Sequence, residues 1–229
     1  MRKPLIFILC ILLSILLLSV FVACDKDKDV TEDACEISYI QEELYTGETA
    51  NFNVCVASGK SENMFIANGT AGELVEFANL TVTPLHVDLF NCDYQYKLIG
   101  EKGELCGELK KDTFGTAFVA ELKDYKTLGK LSCVKIIRVD SEEDINLTDR
   151  LLDKINAEEA LSIAKENLAD KIKAEKEAGA YKREIYVKFV NDEKNTKSDY
   201  YWYVAYIASP TDYWALLIDP ISGKVIVKR

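Results

Sequence analysis

The feature that most constrains the fold of this chain is a succession of short apolar runs separated by turn residues between positions 37 and 140. In the clearest run, Phe52, Val54 and Val56 alternate with Asn53 and Cys55. A period of two places successive side chains on opposite faces of a strand. Roughly seven to nine such strands, punctuated by glycine-containing breaks, predict an antiparallel, immunoglobulin-like β-sandwich over residues 37–140.

The last third of the chain has a different pattern. Asn156, with Glu159 three residues later, forms a capping box, and Gly179 follows the end of a predicted helix. Four strand-like segments come next, namely Glu184 to Val190, Tyr200 to Ala208, Tyr213 to Ile218 and Lys224 to Lys228. One helix on a small antiparallel sheet is an α+β unit, predicted here over residues 156–229. The polar, acidic residues 141–155 are predicted to be a linker.

Three pieces of this unit resemble, in the expected order, the PepSY domain family. They are the helix opening Asn156 to Ala164, the aromatic strand Tyr200 to Val204 and the terminal hairpin Ile218 to Val225. Ser222 stands where the family commonly has threonine. The resemblance implies a non-enzymatic module of cell-surface proteins that restrains peptidases or binds partners near the envelope.

The N-terminal residues predict export. Basic Arg2 and Lys3 precede an uncharged, largely apolar stretch from Pro4 to Ala23, which is the layout of a secretory signal. About 20 apolar residues could also span a bilayer, so length alone leaves a transmembrane anchor open. Phe21-Val22-Ala23-Cys24 resembles the lipobox of bacterial lipoproteins, although phenylalanine is less usual than leucine at its first position.

The lipobox resemblance implies cleavage before Cys24 and attachment of lipid, palmitate included, to that cysteine. Residues 24–36, which contain the charged run Asp25 to Asp29, then form a solvated tether. Because each buried methylene of an acyl chain contributes about 0.8 kcal/mol, several chains on one cysteine attach a protein durably. The body is therefore predicted to be lipid-anchored on the extracytoplasmic face of the cell membrane.

The charge of the mature chain argues against nucleic acid as a partner. From residue 24 onward the chain has 26 basic and 38 acidic side chains, a net charge of −12. An acidic surface repels phosphate backbones and anionic headgroups. Residues 25–149 carry −13 and residues 150–229 carry +1, which indicates a domain boundary near residue 150.

The residues that could perform chemistry are few. His86 is the only histidine, no cysteine pair has C-x-x-C spacing, and Ser162 to Lys165 matches S-x-x-K without the partner motifs of the penicillin-recognising enzymes. The sequence therefore predicts no catalytic residue, no metal and no cofactor. The five cysteines beyond the anchor leave two alternatives open, one disulfide or free thiols: Cys35, Cys55, Cys92, Cys106 and Cys133.

A cluster of aromatic residues favours binding instead. Seven of them lie within the fifteen positions 200–214, and the candidate binding surface comprises Tyr201, Trp202, Tyr203, Tyr206 and Trp214. In a strand, one set of these rings must face away from the helix, where it could contact a protein or glycan unless other structure covers it.

The predicted function is a non-enzymatic, cell-surface binding protein, in particular a peptidase modulator acting on an envelope or secreted protein. The alternative is an adhesion or scaffolding lipoprotein that acts through the sandwich domain.

Overall fold

The computed structural model describes residues 36–63, 69–191 and 200–229. Within these ranges lie one α-helix, α1 (Ala157–Glu177), and short 3-10 turns at Val87–Asn91 and Tyr125–Leu128. The strands are β1 (Ile37–Glu48), β2 (Phe52–Glu62), β3 (Leu74–Pro84), β4 (Tyr94–Gly100), β5 (Gly103–Lys111), β6 (Phe118–Glu121), β7 (Leu131–Ile137), β8 (Glu142–Asn146), β9 (Thr148–Asp149), β10 (Glu184–Asn191), β11 (Tyr200–Ser209), β12 (Asp212–Ile218) and β13 (Val225–Lys228).

All these strands belong to one mixed sheet. Its order is β13-β12-β11-β10-β1-β2-β3-β6-β5-β4-β7-β8, and β9 pairs with β1 outside this path. Strands β1 and β10 run parallel, whereas the other neighbouring strands run antiparallel. Strand β1 therefore connects the N-terminal strands to the C-terminal ones.

This topology shows that the predicted fold class, an immunoglobulin-like sandwich plus a separate PepSY-like α+β unit, is wrong. Strand β1 pairs with β2 on one side and with β10 and β9 on the other, so the C-terminal strands extend the same sheet. Alternation of apolar residues specifies which face of a strand is buried, but it does not specify the neighbouring strand. The structure is sandwich-like only in the coarse sense that it is rich in strands around a core.

Two hydrophobic cores stabilise the sheet. The first contains fully buried side chains from strands on both sides of β5, among them Val56, Leu80, Leu98 and Val134, so the β4-β7-β8 part encloses a core with β2 and β3. The second lies between helix α1 and strands β1, β10, β11 and β12. Each core residue of this size contributes about 1.5–3 kcal/mol when it is removed from water.

The helix predicted after Asn156 is confirmed. The Asn156 side chain accepts a hydrogen bond from the Glu159 backbone N–H, and the Glu159 carboxylate accepts one from the Asn156 N–H, each over 2.9 Å. Gly179 follows the helix with φ +64°. The apolar stripe Ala157, Ala160, Leu161, Ala164, Leu168 and Ile172 is buried against the sheet, as its spacing predicts.

The predicted linker contains regular structure, because residues 142–149 form β8 and β9. Strand β8 pairs with β7, and β9 pairs with β1 at Tyr45 and Thr46. Four predictions lie outside the described residues: the signal peptide 1–23, lipid attachment at Cys24, the tether up to residue 35, and the state of Cys35. Among the described residues, no helix has the length and apolar composition needed to cross a bilayer.

Candidate functional site

The structure divides the five predicted surface aromatics between two sides of the sheet. Trp202 and Tyr206 are only 0% and 1% exposed, and both lie in the core under helix α1. The indole N–H of Trp202 donates to the Ile155 carbonyl over 2.9 Å. These two rings therefore stabilise the fold and are not part of a contact surface.

Trp214 packs at the edge of the same core. The Arg183 guanidinium lies 3.8 Å from its ring centroid, and that arginine also forms paired hydrogen bonds with Glu175 over 2.7 and 2.8 Å. Lys171 lies over the ring at 5.4 Å. Trp214 is thus held by its own chain, which leaves Tyr201 and Tyr203, both partly exposed, as the candidates on the opposite face.

That opposite face, which we call the open face, carries a row of partly exposed aromatic rings from five strands. Tyr39 stacks on Phe77 with ring centroids 5.3 Å apart and on Tyr186 at 4.5 Å. Tyr203 of β11 and Tyr213 of β12 lie on the same face of the sheet. We call these five residues the aromatic row. Only two of its members, Tyr203 and Tyr213, lie in the sequence segment where the aromatics cluster; β1, β3 and β10 supply the others.

Beside the aromatic row lies a groove of about 760 Å³. It opens where β1 and β10 separate, because β10 pairs with β1 only as far as Ile40. The buried Gln41 side chain occupies the point of separation, where its carbonyl accepts a hydrogen bond from the Phe189 backbone N–H over 3.3 Å. The groove is lined by Tyr39, Gln41, Leu44, Thr46, Gly47, Glu48, Asn53, Val54, Cys55, Ala57, Phe77, Asn79, Thr81, Thr83, Arg150, Lys188, Phe189, Val190, Asn191 and Tyr200.

A bulge shapes the wall of this groove. The register between β1 and β2 shifts between Gln41 and Glu43, opposite Gly59 and Ser58. A Cβ atom on Gly59 would lie 2.1 Å from the Ile40 carbonyl oxygen, so a residue with a side chain does not fit there. Glycine at this position therefore permits the bend of β1 beside the groove.

Arg150 is held in the groove by three contacts. Its backbone N–H donates to the Leu44 carbonyl over 2.8 Å, and its Nε donates to Thr46 Oγ1 over 2.6 Å. Its guanidinium carbon lies 5.5 Å from the Tyr200 ring centroid, and Tyr200 stacks on Phe189 at 5.2 Å. Within the described part of the chain, no carboxylate pairs with Arg150, so its terminal nitrogens can meet a ligand.

Among the described residues, Cys55 is the one cysteine that lines the groove. Burial raises the pKa of the Cys55 thiol, and the nearby Lys188 ammonium only partly opposes this effect. A thiol is a poor nucleophile when it stays protonated. The four described cysteines, Cys55, Cys92, Cys106 and Cys133, are all free.

Other candidate catalytic groups lie apart from the groove. His86 Nε2 is 3.0 Å from the Ala50 carbonyl oxygen in an exposed turn, and Ser162 is exposed on helix α1. No group of three or more histidine, cysteine, aspartate or glutamate side chains in the described ranges could hold a metal ion.

The sequence patterns did not reveal a buried polar cluster at the other end of β1. Ser38 Oγ lies 2.6 Å from Glu62 Oε1 and 2.8 Å from Glu184 Oε2. The same carboxylates accept hydrogen bonds from the backbone N–H groups of Gly72 and Gly69 over 2.6 and 2.9 Å. The cluster thus fastens residues 69–72 to β2 and β10, which is a structural role.

Stability should fall in alkali because several tyrosines titrate abnormally. Burial is the largest cause that raises the pKa of Tyr94, Tyr125, Tyr186 and Tyr203 above the usual 10.0. Each group therefore stabilises the fold fully below about pH 10 and loses that contribution as the pH rises towards its folded-state pKa. The free energy of unfolding should therefore decline as the pH rises above about 10.

Urea unfolding at about pH 8 and about pH 11, together with phenolate absorbance, measures this decline. The Tyr125→Phe variant removes one of the titrating groups, so its stability should fall less steeply. Equal unfolding midpoints at the two pH values would contradict the expectation.

Searches of protein-family models, curated proteins and solved structures find no match to this chain. The lipobox and PepSY resemblances therefore stay predictions, and the function is argued from the site itself.

Proposed function

We propose that this chain is a lipid-anchored, non-enzymatic binding protein on the extracytoplasmic face of the cell membrane, and that it holds an envelope component in the groove between β1 and β10. The observation that carries the proposal is the groove itself. Its volume of about 760 Å³ lies within the range of about 300–1,000 Å³ common for ligand sites.

The lining of the groove supports binding better than catalysis. Asn53, Asn79 and Asn191 present amides that make no hydrogen bond within the described ranges, and rings of the aromatic row adjoin them. Amides can both donate and accept, so they give orientation and specificity to a bound molecule.

A groove-filling substitution tests the proposal. Thr81 lines the groove on β3, and tryptophan is tolerated in strands, so Thr81→Trp should block the site without opening the sheet. Full-length protein is crosslinked in intact cells, and the crosslinked envelope components are identified. Thr113→Trp places the same side chain on an exposed turn away from the groove and is the matched control.

The expected result is a crosslinked component that persists with Thr113→Trp and is lost with Thr81→Trp. Asn79→Trp, at an exposed groove position, should repeat the loss, and unchanged urea midpoints exclude unfolding as its cause. Retention in both groove variants would overturn the proposal and favour the alternative, adhesion or scaffolding through other surfaces.

A further inference from the structure

The groove differs in charge from the rest of the molecule. Arg150 and Lys188 line it, Glu48 is its one acidic residue within the described ranges, and the mature chain as a whole carries a net charge of −12. Neither cation has an ion-pair partner among the described residues. A local excess of positive charge on an acidic protein attracts an anionic ligand to that place.

The arrangement around Arg150 limits the kind of anion. Its Nε is used by Thr46, so the two terminal nitrogens are left to form the paired hydrogen bonds that suit a carboxylate. The guanidinium also lies 5.5 Å from the Tyr200 ring centroid. The Tyr200 ring and Thr46 thus hold the guanidinium in place, and a carboxylate is the anion that its terminal nitrogens favour.

The neutral polar groups of the groove indicate a ligand that carries hydroxyl groups. Asn53, Asn79, Asn191, Thr81 and Thr83 can each donate and accept hydrogen bonds, as a sugar hydroxyl does. The partly exposed Phe77 ring borders these groups, whereas Phe189 is buried. A pyranose ring presents hydroxyls that can reach the amides and an apolar C–H face that can lie against such a ring.

A peptide strand is a poorer fit. Adding a strand requires a free backbone edge, and β1 is paired with β10 through residue 40 and with β9 at residues 45 and 46. Beside the gap between β1 and β10, the Gln41 side chain also accepts a hydrogen bond from the Phe189 backbone N–H. Only residues 41–44 of β1 are left between these pairings, which is at the short end of common strand lengths, and the Leu44 carbonyl among them already accepts from the Arg150 N–H.

From these observations we infer that the groove binds a uronic-acid saccharide, whose ring carries its carboxylate directly. The carboxylate pairs with Arg150, the ring hydroxyls bond the asparagine and threonine side chains of the groove, and Lys188 supplies a second, exposed positive charge. This inference rests on the proposed function, because it specifies the ligand of the same groove.

Binding of oligogalacturonate to full-length protein in detergent, measured by calorimetry, tests the inference, with the uncharged galactose oligomer of equal length as the matched ligand. Arg150→Gln keeps the size of the side chain and removes its charge, so affinity for oligogalacturonate should fall at least about tenfold. Lys188→Gln, at an exposed position, should produce a smaller fall. Arg138→Gln, outside the groove, is the control and should leave affinity unchanged.

Preference for the charged oligomer that disappears in Arg150→Gln supports the inference. Equal affinity for the two oligomers, no binding of oligogalacturonate, or insensitivity to both groove variants overturns it. If Arg150→Gln does not fold, two measurements still test the inference. They are the affinity of Lys188→Gln for oligogalacturonate and the affinity of the wild type for the uncharged oligomer. Should Thr81→Trp abolish capture of an envelope protein while oligogalacturonate fails to bind, the proposed function stands and only the ligand class is wrong.

Discussion

Replacing Trp202 by alanine is expected to lower the free energy of unfolding by about 3–5 kcal/mol, the range for removing a large buried aromatic side chain. The indole is fully buried under helix α1, contacts Phe189 with ring centroids 4.9 Å apart, and donates its N–H to the Ile155 carbonyl. Truncation leaves a cavity and an unpaired carbonyl. Because native domains are stable by only about 5–15 kcal/mol, the variant should lie close to the unfolding threshold.

Urea unfolding, followed by far-ultraviolet circular dichroism, measures this loss. Trp214→Ala is the matched control, because that ring is only partly buried and its truncation should cost less. Equal unfolding midpoints for the two variants would contradict the prediction, because the more deeply buried Trp202 should cost more stability when it is truncated. A loss of binding in Trp202→Ala at unchanged stability would contradict its place in the core.

The second large effect concerns Cys24, where substitution by serine is expected to abolish acylation. The lipobox resemblance places the modified thiol at this residue, and serine cannot form the thioether that anchors the lipid. Cells fed a clickable palmitate analogue should label the wild-type protein and leave Cys24→Ser at background. Mass spectrometry should find a mature wild-type chain that begins at residue 24.

Cys10→Ser is the matched control, since Cys10 lies in the same apolar stretch and is predicted to leave with the signal peptide. Its labelling should equal that of the wild type. Persistent label in Cys24→Ser, or recovery of an unprocessed wild-type chain from Met1, would show that the N-terminal segment acts as an uncleaved anchor instead.

Local patterns predicted the helix and most strands because their signals lie within a few neighbouring residues. The Asn156 and Glu159 pair marks the start of α1, and the alternation around Val204 marks β11. The residues that build the groove carry no such signal. Arg150 directly follows β9, Lys188 is one lysine among many, and Tyr39 and Phe77 lie in strands that are far apart in the sequence.

Which rings of the aromatic cluster are buried also depends on how the helix packs. Sequence alternation correctly separates Trp202 and Tyr206 from Tyr201 and Tyr203, yet it does not say which set the helix covers. Contacts between α1 and the even-numbered side chains decide that Trp202 and Tyr206 are core residues. The odd-numbered face stays partly exposed and joins the row that begins at Phe77.

By itself, the sequence determined the positions of the helix and the C-terminal strands, the acidic charge of the chain and the absence of a familiar catalytic motif. These properties depend on residue type and short-range spacing. Only the tertiary structure decided that β1 pairs with β10, that all strands share one sheet, and that a groove opens where these two strands separate. Strand pairing across the 147 positions between Ile37 and Ile185 is set by the fit of whole faces and by long-range hydrogen bonds such as that from Phe189 to Gln41. No local pattern encodes either.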